Sequence, residues 1–156
     1  MTADVTLDGH TRESATAAPP MRLEVALCLP RLARTVTIAR RLLDTALSLM
    51  GVAEPCRADL SLALTEACAN AVQHAHGASE YQVMVSTGRN RCVMEVIDTG
   101  VGLHHQRLDG NGSGGDGAGP SLAGRGLRLI RACTDTVETH PVHPSGLRIR
   151  MSKALT

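Results

Sequence analysis

Residues 62–76, LALTEACANAVQHAH, leave this chain little choice but a largely buried helix with one polar stripe. The segment is mostly small and apolar, and no Gly or Pro interrupts it. Glu66, Asn70 and His74 recur every four residues, a spacing that stacks side chains along one side of a helix. Gln73 falls on the same side. Leu60, Leu64, Cys68, Ala71 and Ala75 take the opposite side and predict the core stripe. A carboxylate and a carboxamide beside a row of alanines suggest a place where something polar docks. Glu can act as a base or bind a cation through oxygen, and Asn offers a neutral oxygen ligand. The plainer alternative is an amphipathic surface helix with an ordinary polar face.

The rest of the chain must supply a core for that helix. With 156 residues, 43% hydrophobic and 20% charged, one soluble globular domain is expected. One Tyr, no Phe and no Trp make the core aliphatic. Without aromatic platforms, single-stranded nucleic acid is a poor ligand. A net charge of +1 provides no basic field for a duplex. No direct nucleic-acid partner is therefore expected. Cys28, Cys56, Cys68, Cys92 and Cys133 are odd in number and contain no C-x-x-C, so neither a zinc site nor a redox motif is indicated. Reduced thiols and a cytoplasmic location follow as expectations. Residues 1–21 lack an apolar core of the signal-peptide kind. No run is long enough to span a bilayer, so no membrane association is expected.

Taken in order, residues 1–21 predict a disordered tail. Residues 22–29, RLEVALCL, alternate as a half-buried strand. Pro30 ends it, and Leu32, Val36, Ala39, Leu43, Ala46 and Met50 follow a helical spacing up to Gly51. Pro55 opens the helix that carries Glu66, and Gly77 closes it. YQVMVST and CVMEVID, residues 81–87 and 92–98, then predict a hairpin. In the second strand Cys92, Met94, Val96 and Asp98 share one face, and Glu95 marks the face nearer water. Asp98 thus ends the strand on the helix-covered side. A carboxylate there needs a partner, either a ligand or the turn that it caps.

Beyond Asp98 the chain turns rich in glycine. Asp98-Thr-Gly-Val-Gly-Leu carries Gly100 and Gly102, which permit tight turns and close approach of a ligand. Residues 104–123 hold Gly110, Gly112, Gly114, Gly115, Gly117 and Gly119, with Pro120 near the end and no apolar periodicity. That composition predicts a lid or a structureless insertion. Gly124, Arg125, Gly126 and Leu127 then open a helix expected over residues 127–133, a geometry that offers backbone N–H groups to an anion. Two strands, residues 135–140 and 146–153, end the domain. Neither a P-loop nor a dinucleotide-binding fingerprint is present.

The order of these motifs resembles the GHKL ATP-binding superfamily, which includes gyrase, histidine kinases and MutL. TEACANAVQHA, residues 65–75, resembles its N box; DTGVGL, residues 98–103, its first glycine box; and GRGLRLI, residues 124–130, its second. Within the superfamily the chain is most similar to the small serine/threonine kinases that act as anti-sigma factors in bacterial partner switching. The resemblance covers about Leu23 to Lys153, and the ATP-binding domain is expected over residues 22–153. It implies an α+β Bergerat fold, a two-layer sandwich of a mixed β-sheet with helices on one face. It implies ATP and Mg²⁺ as cofactors, with Asn70 holding Mg²⁺, Glu66 acting as general base and Asp98 accepting a hydrogen bond from the adenine amino group. Gly100 and Gly102 would admit the nucleotide backbone contacts; Gly124, Arg125, Gly126 and Leu127 would cradle phosphates beneath the lid. The partners implied are a sigma factor and an anti-anti-sigma protein of the STAS type, with a homodimer as the assembly.

The sporulation kinases of that family carry an arginine just before the second glycine box, where this chain has Leu122. Three functions are thereby distinguished. The first is a kinase that phosphorylates a STAS partner and sequesters a sigma factor. The second is a nucleotide-gated binding module without catalysis, which Leu122 favours. The third, a detached histidine-kinase catalytic domain, is disfavoured because no dimerisation helix pair or H box precedes the domain.

Overall fold

A computed structural model describes residues 21–88, 90–101 and 122–156, without the side chains of Leu122 and Ala123. The expectations for residues 1–20 and 104–121, and for Gly102 and Leu103, lie outside the described residues. In chain order the elements are β1 (Glu24–Pro30), α1 (Ala33–Leu49), α2 (Glu54–His74), β2 (Glu80–Gly88), β3 (Arg91–Asp98), α3 (Leu122–Cys133), β4 (Thr136–Pro141) and β5 (Leu147–Ala154). The strands form one five-stranded sheet in the order β1-β2-β3-β5-β4. The helices cover one face, and the α+β two-layer sandwich is the fold expected from the motifs.

The sheet is antiparallel at every pairing among the described strands rather than mixed. The connections explain this. One helix between two strands returns the chain to its starting end and leaves the strands parallel. The α1–α2 pair reverses the chain once more, so β2 runs against β1. After α3, β4 does run with β3, but β5 inserts between them and opposes both.

Period-two alternation builds the inner face. Tyr81, Val83, Val85 and Thr87 of β2 point inward beside Cys92, Met94, Val96 and Asp98 of β3, then Leu147, Ile149 and Met151 of β5. Outside, Glu95 takes Arg150 at 3.0 Å and Arg148 at 3.7 Å, exposed pairs of small energetic weight. Helix α2 lies between α1 and α3 over the sheet. It therefore buries Cys56, Ala63 and Ala67 as well as the expected Leu60, Leu64, Cys68 and Ala71. Its small residues allow that close approach on several sides.

The stripe of α1 holds in part: Ala39 and Leu43 are buried as expected, and Val36 and Met50 pack partly buried against the core. The buried residues are Thr35, Ala39, Leu43 and Leu47, whereas Leu32 is 43% exposed. A polar residue can be buried here because its hydroxyl is fully engaged. Thr35 Oγ1 donates toward the carbonyls of Pro30 and Leu32 at 2.9 and 2.7 Å and lies 3.0 Å from the Tyr81 hydroxyl. Burial pushes the Tyr81 phenol and the Cys68 and Cys92 thiols up to about 12, so all three are neutral packing groups near neutral pH. Ile130 of α3 is fully buried against this core. Ile130→Val is expected to cost about 0.5–1.5 kcal/mol, seen as a melting point lower by roughly 1–6 °C.

Candidate functional site

Pro55 stands in the first turn of α2, where its missing N–H is harmless, and Glu54 meets the positive end of the helix dipole. From that start, α2 turns Leu60, Leu64, Cys68 and Ala71 inward, and the same periodicity leaves Glu66 and Asn70 half-buried on another side. That side meets α3. A Cβ added at Gly126 would lie 3.1 Å from Glu66 Oε2, 3.4 Å from Asn70 Oδ1 and 3.5 Å from Asn70 Nδ2. Glycine at 126 thus lets α3 come down onto the polar pair. Glu66, Asn70 and Gly126, far apart in sequence, form one cluster.

The position of Gly126 corrects the expected helix start. Helix α3 begins at Leu122, not at 127, so Leu122 and Ala123, expected in the lid, are helical. Gly124, Arg125 and Gly126 sit inside the helix. Two glycines weaken helix propensity by about 1 kcal/mol each, which is why sequence periodicity placed the start too late. Packing of Leu127, Ile130 and Cys133 into the core offsets that weakness. Gly124 still falls in the first turn, where N–H groups lack intrahelical partners. Arg125 is exposed, whereas Leu127 is only 7% exposed and packs inward.

A second cluster forms little more than one turn further on, at the C-terminal end of α2. Asp98 ends β3 on the helix-covered face and is only 4% exposed. Its Oδ1 accepts the Gly100 N–H at 3.2 Å, so this carboxylate does cap its own turn. The Val101 N–H donates to the His76 carbonyl at 2.7 Å, stitching the turn to the end of α2. Between them the backbone of Gly100 passes so close to Ala75 that a Cβ would lie 2.3 Å from the Ala75 carbonyl carbon and 2.6 Å from its oxygen. His74 is the last residue of α2, in keeping with its reading as a helix-end group.

Several residues around Asp98 were not singled out in the sequence. Gly146 has φ +122, and a Cβ there would lie 2.1 Å from the Asp98 carbonyl oxygen. Ser145 Oγ donates to the Thr99 carbonyl at 2.9 Å, and the Arg31 guanidinium donates to the Ala75 carbonyl. A Ser-Gly pair before the last strand was the one available signal for a close turn. Nothing in the spacing of Arg31 pointed to Ala75.

The two clusters lie along one helix, Asn70 and Ala75 being about 7.5 Å apart in helical rise. One end offers a buried carboxylate acceptor, the other a carboxylate and an amide oxygen. Among the described residues there is no cluster of three or more His, Cys, Asp or Glu that could hold a metal. The Asn70 amide oxygen fits Mg²⁺, which usually takes only one or two protein oxygens and completes its shell with phosphates and water.

Comparison with known proteins gives consistent results. Residues 29–153 match the family model for the histidine kinase-like ATPase domain. The chain is 28% identical over 136 residues to the serine-protein kinase RsbW of Bacillus cereus, an alignment covering 83% of this chain and 84% of that protein. The RsbW of Bacillus anthracis gives the same figures. The crystal structure of the RsbU and RsbW domains of Rv1364c from Mycobacterium tuberculosis superposes with a TM-score of 0.64 at 17% identity, covering 85% of this chain and 32% of that one. No helix of the described residues is long and apolar enough to cross a membrane.

Proposed function

This chain belongs to the histidine kinase-like ATPase family, and from that premise we propose that it is an ATP-dependent serine/threonine protein kinase of the anti-sigma type. Its substrate would be a hydroxyl of a STAS-type anti-anti-sigma protein, and its second partner a sigma factor. The supporting observation is the convergence of Glu66 and Asn70 on Gly126, on the helix whose end meets the turn of the buried Asp98.

In this reading Asp98 accepts the adenine amino group. Burial favours that hydrogen bond, because water does not compete for the carboxylate. Gly100 keeps the adjoining turn thin enough to pass Ala75. Asn70 supplies a neutral oxygen for Mg²⁺, which when bound offsets phosphate charge. Glu66 takes the proton from the attacking serine or threonine hydroxyl. Gly126 leaves room for both side chains, and the first-turn N–H of Gly124 faces phosphate at the positive end of α3. A homodimer and a cytoplasmic setting are part of the same proposal.

The test uses labelled ATP, Mg²⁺ and candidate STAS proteins. Phosphoserine or phosphothreonine on the partner is expected. Asn70→Ala should weaken Mg²⁺-dependent ATP binding roughly 10–100-fold, the loss of one contact to a charged group. Leu122, in place of the sporulation kinases' arginine, favours a second reading as a nucleotide-gated binding module. That module would bind its partner more tightly with ATP yet yield no phosphoprotein. Acid-labile phosphohistidine on a partner would instead identify a histidine-kinase catalytic domain.

A further inference from the structure

Arg31 is a long cation at the β1–α1 corner, and its partner is a carbonyl rather than a carboxylate. Its own backbone is held, because the Arg31 N–H donates to the Ser79 carbonyl at 2.9 Å. Its guanidinium donates to the carbonyl of Ala75. Ala75 is fully buried and is the C-cap of α2, where helix-end carbonyls concentrate negative partial charge; its carbonyl also accepts the Ala78 N–H, at a long 3.3 Å. Gly100 packs against that same residue, a Cβ on it lying 2.3–2.6 Å from the Ala75 carbonyl carbon, Cα and carbonyl oxygen. The next residue along, His76, accepts the Val101 N–H. Asp98 is tied to Gly100 through the 3.2 Å bond.

We infer that Arg31 is a positioning residue for the base-recognising carboxylate. By holding the Ala75 carbonyl, it helps to fix the backbone against which the Asp98–Gly100 turn rests. Base recognition therefore depends on a residue that lies on neither glycine box nor N box. A displaced Ala75 peptide shifts Gly100, and with it the direction of Asp98. Interiors transmit such shifts because they are close-packed.

The functional consequence rests on the ATP-site reading above, so the test has two independent arms. In the first, ATP and GTP affinities are measured for the wild type, Arg31→Ala and Arg31→Lys. Arg31→Ala is expected to weaken ATP binding about tenfold, the order of one lost charge-assisted hydrogen bond, with little change for GTP. The ATP-over-GTP preference then falls by a similar factor, a change that simple loss of stability does not produce. Arg31→Lys, which keeps a donor, should restore most of it. ATP affinity within twofold of wild type and an unchanged preference in Arg31→Ala would overturn the inference. In the second arm, amide hydrogen exchange at Gly100 and Val101 is followed without nucleotide. Faster exchange in Arg31→Ala, and not in the exposed control Arg40→Ala, upholds the clamp; equal exchange in the two variants refutes it. If the wild type binds no adenine nucleotide, the ATP-site reading fails, and this second arm alone decides whether Arg31 positions the turn.

Discussion

Glu66→Gln is expected to slow phosphoryl transfer to the STAS partner by about 10²–10⁴-fold, the usual worth of a general base. ATP affinity should change no more than a few fold. Glutamine keeps the length and shape of the side chain, so the close contact with Gly126, 3.1 Å from Glu66 Oε2 to the position of a Cβ, survives. What it loses is the ability to accept a proton, because an amide oxygen is a hydrogen-bond acceptor but not a base near neutral pH. Single-turnover transfer measured beside calorimetric ATP binding separates the two effects. Transfer within tenfold of wild type would remove Glu66 from the base role. A parallel collapse of ATP binding would instead make it part of the nucleotide site.

Gly100→Ala should lower stability by about 3 kcal/mol, the upper part of the range for overpacking, with a melting point roughly 6–12 °C lower and ATP binding largely lost. The obstacle is backbone, not a flexible side-chain end: the new methyl would meet the Ala75 carbonyl carbon, Cα and oxygen at 2.3, 2.4 and 2.6 Å. Relief requires the end of α2 or the Asp98 turn to move. Gly88→Ala is the matched control, because nothing lies within 4 Å of a Cβ there. Equal melting points for the two variants would show that the turn does not run against Ala75.

Much of this was legible in the chain itself, and the reasons are local. The alternation in 92–98 required Cys92, Met94, Val96 and Asp98 to share a face, because the side-chain period of a strand is two. The structure buries all four. The period of α2 likewise separated Leu60, Leu64, Cys68 and Ala71 from Glu66 and Asn70. Reading failed where a neighbour from elsewhere in the chain outweighed local preference. Thr35 is a core residue of α1 because Tyr81 and two carbonyls engage its hydroxyl. Helix α3 runs back to Leu122 through two glycines because its apolar side is held by the core.

The sequence by itself determined the kinds of groups present and their order: a carboxylate and an amide one helical turn apart, an aspartate at the buried end of a strand, and glycines that permit a tight turn or a close approach. Those facts depend on periods of two and of 3.6 residues, which covalent geometry imposes on any chain. Only the tertiary structure decided which glycines run close to something, and to what. Gly126 meets Glu66 and Asn70, Gly100 meets Ala75, and Gly146 meets Asp98. It also decided that Arg31, with no periodic signature, holds the end of α2. Contacts between residues this distant in sequence are set by how helices pack on a twisted sheet, and that packing minimises the free energy of the whole core rather than of any one segment.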